Sequence, residues 1–499
     1  MSRLSHRSWR AALLAAALAP SLLGGCAVGP NYHRPSAPPS PAFKEAAGWT
    51  PSHPVDAIDK GAWWSMFNDP ELSGLETRVA QSNQTVKEYE AAYRQAHAIV
   101  AEAKAAYFPT VSAVINATRS HGAGATGTAT TGSTTTGTTT GTTTTTAVPI
   151  IGTTTSSYEA ALEATWVPDL WGKVRRTVES DRALAQASAA DLANARLAAQ
   201  ASLAEDYFEL RVLDEEGRLY TDTVASYQRL VKLTQDQVRE GTQPESTVLT
   251  AETQLYGAQA AQLALGVMRA QMEHAIAVLV GVAPSELTIA PVPFRREVPT
   301  PPVTVPSTLL ERRPDVAAAE RRMASGNALI GVAVASYFPD VTLSGDYGTA
   351  GSSLGRLFSA SSTLWSFGAD ATETLLDFGL RRAQVHAAKA AYDEDVATYR
   401  QTVLTAFQGV EDELAALRIY EQQEDVLLRT EQAAQQTVKL DLDEYREGTV
   451  DYTTVITAEG NLLTASVNVL TGLQNRLQAS VLLVEDLGGG WTSADLPRN

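Results

Sequence analysis

Leu23-Gly24-Gly25-Cys26 sets small residues directly before a thiol, the arrangement required of a cysteine that is acylated and then becomes a new N-terminus. Cys26 is the only cysteine among 499 residues, so a disulfide within the chain is impossible. Arg3, Arg7 and Arg10 form a basic start, and Ala11 to Leu23 is an apolar run too short to span a bilayer as a mature helix. The expectation is a signal segment over 1–25 and a covalent lipid on Cys26, with no other cofactor and no metal. Catalytic constellations are missing: there is no His-Glu-x-x-His, no phosphate-loop Gly-Lys-Ser/Thr and no Cys/His cluster. The seven His are scattered, and His274 reads as a packed or surface side chain of a helix. No enzyme is expected.

A second set of matched residues is duplicated. Val231 to Leu255 and Val438 to Leu462 align without a gap at an offset of 207, with 14 of 25 positions identical. Each copy holds a polar helix end, then Arg-Glu-Gly-Thr, then a new helix containing Thr-Ala-Glu. A Gly and Thr followed by Pro244 or Asp451 is a helix stop and a helix start, so each copy predicts the tip of a helical hairpin. The tip residues are Arg239, Glu240, Gly241 and Thr242 in the first copy, and Arg446, Glu447, Gly448 and Thr449 in the second.

The elements around the tips repeat as well. The segment 26–71 is Pro-rich and reads as extended, closing on Trp63-Trp64 and Asp69-Pro70. Repeat 1 (72–290) predicts one helix over 72–107, a hairpin over 109–168, and long helices over 173–240 and 244–281. A Gly/Thr-rich loop, 121–155, interrupts the hairpin; it has too little apolar content to pack. After a Pro-rich linker (291–306), repeat 2 (307–487) predicts a helix from Pro314, a hairpin over 340–376, and long helices over 380–447 and 451–487. A short tail, 488–499, closes the chain. A helix over 173–240 would extend roughly 100 Å, which implies rods packed on one another. The net charge of −17 and pI near 4.9 argue against a nucleic-acid or anionic-membrane partner.

No run of about 18 apolar residues follows the signal, so a membrane crossing would have to use strands. The strands alternate as a membrane barrel requires: Val341, Leu343, Tyr347, Trp365 and Phe367 outward, Thr342, Ser344, Asp346, Ser366 and Asp370 inward. Four strands cannot close. Two chains would give eight strands, a lumen that side chains fill; three give twelve, which leaves a pore. Tyr107, Phe108, Tyr337, Phe338, Trp166 and Phe378 gather at the strand ends, where an interfacial girdle would sit. The fold class is mainly α with a membrane β part.

Several of these motifs resemble a known family. Cys26-Ala27-Val28-Gly29-Pro30-Asn31-Tyr32, Trp63-Trp64, Asp69-Pro70, Leu309-Leu310-Glu311-Arg312-Arg313-Pro314-Asp315-Val316 and Ile330-Gly331 before Tyr337-Phe338-Pro339 are similar to those of the TolC-like outer-membrane efflux lipoproteins. The resemblance covers nearly the whole mature chain. It implies a homotrimer with a twelve-stranded outer-membrane barrel continuous with a periplasmic α-helical barrel. It also implies a periplasmic adaptor and an inner-membrane pump, commonly of the resistance-nodulation-division type, as partners. The Leu23–Cys26 segment itself resembles the lipobox of bacterial lipoproteins, and Ala27 rather than Asp after the cysteine matches sorting to the outer membrane.

By the same resemblance the two tips would meet the adaptor, and residues after the second tip would narrow the periplasmic mouth. Asp451 and Tyr452 fall there, whereas Thr454 and Thr457 stand where some members carry carboxylates. Asp451 as a solvated helix cap is the competing reading. Glu159, Glu163, Asp346 and Asp370 point to a lumen that favours cations. Two other functions compete: an exit duct for secreted proteins on the same fold, and a structural or adhesive surface protein that uses the helices as a spacer. A spacer has no need of two matched tips.

Overall fold

The computed structural model describes residues 27–36, 43–45, 62–121, 127–128, 147–148, 154–294, 298–299, 312–491 and 496–497. The signal segment, Cys26, most of the Gly/Thr-rich loop, Leu309–Glu311 and much of the Pro-rich linker lie outside them. Seven α-helices are described: α1 (Pro70–Ser82), α2 (Gln84–Ala105), α3 (Lys173–Arg239), α4 (Glu245–Val280), α5 (Pro314–Ala335), α6 (Leu380–Glu447) and α7 (Tyr452–Asp486). The strands are β1 (Thr110–His121), β2 (Gly127–Thr128), β3 (Ala147–Val148), β4 (Thr154–Trp166), β5 (Asp340–Gly351) and β6 (Thr363–Thr372). The chain divides into two compact units.

The first unit comprises the residues up to Pro30, Ala101–Val178 and Leu329–Ala387. Its sheet runs β1-β4-β5-β6, every pair antiparallel, so β1 and β6 are unpaired edges. Directly opposed residues share a face. Tyr347 opposes Trp365 and Leu162, Gly345 opposes Phe367, and Ala113 opposes Leu162, which makes one apolar face. Most of that face is open to its surroundings: Ile115 is 82% exposed, Trp365 75% and Phe367 74%. The other face is polar. Ser112, Glu163, Asp346 and Ser366 line up across all four strands, with Glu159 opposite Asn116 and Asp370 opposite Thr342. Arg119, the one Lys or Arg in these four strands, has the parity of the apolar face. Within the Gly/Thr-rich loop, β2 and β3 pair with each other.

Both junctions between hairpin and long helix use one device. Asp169 accepts from the amides of Val174 and Arg175, and Asp377 accepts from those of Gly379 and Arg381; each also binds the Arg of its own helix start. These bonds satisfy amides that have no partner within the helix. They hold the Asp377 carboxyl down to about 2, its bond to Arg381 contributing most. Gly172 and Gly379 turn the chain with φ of +83° and +95°, a conformation that disfavours a Cβ. Trp166 donates its indole N–H to the Tyr107 carbonyl at 3.0 Å, and Trp171 donates to Pro339 at 2.8 Å while stacking on Phe338. Trp166 and Trp171 are thus hydrogen-bonded fasteners where strands meet helices.

The second unit comprises Asn31–Val100, Glu179–Ala328 and Ala388–Asn499. Here the single helix expected over 72–107 is two. Asn83 leaves the helical region with ψ near 130°, its amide nitrogen donating to Leu279 O and its oxygen accepting from Val86 N. The side chain thereby caps α2 and docks on the last turn of α4, a competition for backbone groups that a periodicity count does not see. Trp63 and Trp64 are buried with Leu72, Leu75 and Val79 against Leu203, Tyr207 and Phe208 of α3. Asp69 caps α1 through the amides of Glu71 and Leu72 and accepts the Tyr207 hydroxyl at 2.7 Å. Glu76 is fully buried there; among the described residues its carboxylate oxygens have no hydrogen-bond partner, and burial pushes its pKa up to about 9.

Repeat 2 closes on Arg313. Its guanidinium binds both oxygens of Asp315, and at 2.6 and 2.9 Å it binds the carboxylate and carbonyl of Asp486, at the end of α7. The Arg-Arg-Pro-Asp motif therefore ties the start of α5 to the end of α7. Around Asp486 carboxylates converge from three helices: Glu205 and Asp206 on α3, Asp412 and Glu413 on α6, Glu485 on α7, with Glu209 and Asp315 near by and Arg313 opposing them. Burial, then neighbouring negative charge, raises Glu205 and Glu413 to about 7. A carboxyl whose folded pKa is raised adds stability that is full below its ordinary value and is lost as pH rises through the folded value. Melting of the purified protein should accordingly be higher at pH 5.5 than at pH 8, with Glu413→Gln flattening the difference. A wild-type profile that rises toward pH 8 would contradict this.

Candidate functional site: the two helical tips

At each tip the helix ends in the same hydrogen-bonded loop. Gly241 has φ +76° and its amide donates to Val238; the Thr242 amide and hydroxyl both donate to Gln237 O. Gly448 has φ +75° and donates to Tyr445, and Thr449 donates twice to Glu444 O. This is a Schellman motif, which needs a left-handed residue where Gly stands; the threonine hydroxyl adds a second bond to the freed carbonyl. Space is not the constraint, because a Cβ at Gly241 or Gly448 would meet nothing within 4 Å. Arg239 and Arg446 each reach back three residues, to Asp236 at 2.9 Å and Asp443 at 3.0 Å, in exposed pairs that stabilise little. The duplicated Thr-Ala-Glu also has a local explanation. Thr250 and Thr457 bond back to the carbonyls of Ser246 and Thr453, and Ala251 and Ala458 are buried where helices approach. Glu459 accepts from Ser226 on α3.

One core joins the two tips. Tyr227, Leu230 and Val231 of α3, Ala251, Leu255 and Ala258 of α4, Tyr445 of α6, and Tyr452, Val455 and Ile456 of α7 pack together. The Tyr445 hydroxyl bonds Gln237, so the last turns of α3 and α6 are linked directly. Here the copies part. Tyr452 is 3% exposed, its ring 6.0 Å from that of Tyr445, whereas Glu245, its counterpart at the 207-residue offset, is exposed. Ile456 is 8% exposed while its counterpart Leu249 is 59% exposed. The second tip is thus the one whose helix start is buried in the shared core, with Tyr452 packed there. Burial raises its phenol, whose oxygen has no hydrogen-bond partner among the described residues. Asp451 is exposed and caps α7, one carboxylate oxygen accepting from the Thr454 amide at 3.0 Å and its hydroxyl at 3.1 Å. Arg239, Glu240, Gly241, Thr242, Arg446, Glu447, Gly448 and Thr449 are all solvent-facing.

Sequence reasoning missed two surfaces. On α4, Leu249, Tyr256 and Leu263 recur every seven residues and are all exposed; on α6, Ile419, Val426 and Leu440 keep the same heptad spacing. By length and composition α4 is apolar enough to cross a membrane, contrary to the expectation that no such helix follows the signal. The seven-residue stripe Leu249, Tyr256 and Leu263 has the spacing of a coiled-coil seam. No group of three or more metal-ligating side chains occurs among the described residues.

A sheet with one apolar and one polar face, two open edges and duplicated helical hairpins defines a tandem-repeat channel subunit. Residues 77–282 and 305–489 match the profile of a family described as "Outer membrane efflux protein". The chain belongs to that family: it is an efflux channel of the Gram-negative outer membrane and not an enzyme. It is 28% identical over 491 residues to the probable efflux pump outer membrane protein TtgC of Pseudomonas putida, covering 96% of each chain. It is 28% identical over 474 residues to outer membrane protein OprJ of Pseudomonas aeruginosa, covering 94% of each. Its fold superposes on the outer-membrane channel OprN with a TM-score of 0.81 at 28% identity, covering 93% of this chain and all of that one. The Neisseria gonorrhoeae channel MtrE, solved in an open state, gives 0.78 at 25% identity over 94% and 99% of the two chains.

The tip core yields a stability prediction. Tyr452→Phe should leave stability unchanged or slightly raised, because no hydrogen bond is lost, whereas Tyr452→Ala should cost about 3–5 kcal/mol. Denaturant unfolding of detergent-solubilised protein measures both; equal losses would show that the hydroxyl, not the ring, carries the contact.

Proposed function

We propose that three copies form the exit duct of a tripartite efflux pump, anchored by a lipid on Cys26 and docked by the tips to a periplasmic adaptor. The observation that carries the reading is the four-stranded sheet with unpaired edges β1 and β6 and opposed apolar and polar faces. In a bilayer every strand amide needs a partner, so the sheet must close with other copies. Twelve strands leave a lumen lined by the Glu159, Glu163, Asp346 and Asp370 face. The exposed stripes of α4 and α6 supply two different seams per copy, as a ring built from one heterologous contact requires.

Solute enters at the tips and leaves through the barrel. Six tips from three copies surround the mouth, with the second tip of each copy inward. Asp451 then contributes one carboxylate per copy, while Tyr452 fixes the helix that carries it. The adaptor meets the exposed Arg-Glu-Gly-Thr loops, and the pump works through the adaptor. Transport of small molecules is favoured over protein export by the curated relatives, TtgC among them, that are named as efflux pump proteins.

Purified protein should run as a trimer and conduct ions in planar bilayers, with cations preferred over anions. A monomer without conductance would overturn the duct. Gly448→Phe should depress efflux in cells while the trimer forms at wild-type yield, because the strain of a left-handed Phe is confined to an exposed loop at the helix end. Gly448→Asn, which tolerates the left-handed conformation, should retain more efflux. Wild-type efflux with Phe would count against docking at the tips.

A further inference from the structure

A cavity of about 280 Å³ lies in the first unit where strands give way to helices, and nothing in the channel reading uses it. Its walls are largely apolar: Ala103 near the end of α2 and Ala106 just after it, Val167 and Leu170 after β4, Val174 in the first turn of α3, and Val341 of β5. Val341 shares the parity of Leu343, Tyr347 and the partner Trp365, so the cavity adjoins the apolar face of the sheet. An ion pair, Lys173 to Asp340 at 4.0 Å, stands among the lining residues.

The N-terminal segment is locked beside this cavity. The Val28 amide donates to the Trp171 carbonyl at 3.1 Å, and the buried Arg176 donates to the carbonyls of Val28 and Gly29 at 3.2 and 3.3 Å. Two glycines make room for it. A Cβ on Gly172 would lie 2.7 Å from Ala27 Cα, and one on Gly331 would lie 2.8 Å from Arg176 Cγ; Gly29 packs directly on Gly331. Ala27 therefore touches Gly172, whose chain neighbours Trp171 and Lys173 both line the cavity. Cys26 precedes Ala27 by one peptide bond in the sequence.

We infer that the cavity is the seat of one alkyl chain of the lipid carried by Cys26. The inference rests on the reading of Cys26 as the lipidated residue. The cavity is near the lower end of the volumes that hold small ligands, so it takes part of a single chain and leaves any others to the bilayer. Its apolar wall suits a hydrocarbon, the ion pair beside it suits the polar linkage, and the backbone lock holds the start of the lipid at the cavity. The lipid is then fixed in position against the strand–helix junction as well as tethered to the membrane.

The test labels cells with a palmitate analogue that carries a photoactivatable group in its chain. The full-length protein is irradiated in membranes and purified, and its peptides are mapped by mass spectrometry. Intact mass first reports whether Cys26 is lipidated. An unmodified Cys26 removes the lipidation reading and the inference with it. With Cys26 lipidated, the N-terminal lipopeptide should cross-link to the peptides holding Val167–Val174 and Val341. Ala106→Phe, which fills the cavity, should reduce that cross-link at least fivefold while lipidation and trimer yield persist. Cross-links spread along the outer faces of β1, β4, β5 and β6 would overturn the inference and leave lipidation standing. In Cys26→Ser, labelled phospholipid should not cross-link to Val167–Val174; if it does at wild-type level, the cavity belongs to a phospholipid chain.

Discussion

Hydrogen bonds of the backbone decide this architecture. In hydrocarbon an unpaired amide or carbonyl costs several kcal/mol, so a sheet of four strands with two open edges cannot persist in a membrane alone. Closure with other copies is the remedy, and it dictates much else. The hairpins must present one face to lipid and one to the lumen, which the register of Tyr347 with Trp365 and of Glu163 with Asp346 accomplishes. The helices that follow then start in fixed positions, each begun by an aspartate that gathers two orphan amides.

Duplication supplies two copies of every element, and the molecule uses their differences. At the tips the hydrogen-bonded loops are equivalent down to the threonine hydroxyls, so Arg-Glu-Gly-Thr is first a helix terminator. What distinguishes the copies lies three and seven residues beyond. Tyr452 and Ile456 are buried where Glu245 is exposed and Leu249 is largely so. The same fold thus yields one hairpin whose apolar residues at the tip are buried within the subunit and one whose apolar residues there are exposed.

The elements that follow simple periodicity were legible in the sequence. Alternation placed the four strands and their two faces, and the lack of breakers placed α3 and α6 to within a residue. Terminators that act through side chains were not legible. Asn83 looks like one more polar helix residue until its amide is seen on the Leu279 carbonyl, and Glu76 looks solvent-exposed in a string of letters. The site was half legible: glycine and threonine announced the turn, but the burial of Tyr452 depends on packing against Tyr227, Leu230 and Tyr445, far away in sequence. The stripes on α4 and α6 were present in the sequence as heptads, hidden among many alanines.

The lock of Ala27, Val28 and Gly29 also constrains the order of events in time. Those residues leave the ribosome almost first, yet the groove that receives them is made by Gly172, Arg176 and Gly331, the last of which belongs to the far half of the chain. Contacts of such long sequence separation form late, because the entropy of closing the loop must be met before they contribute. The N-terminal segment is therefore synthesised early and seated late, after both halves have come together. Until then a lipid at its start would be free to follow whatever carries it through the periplasm.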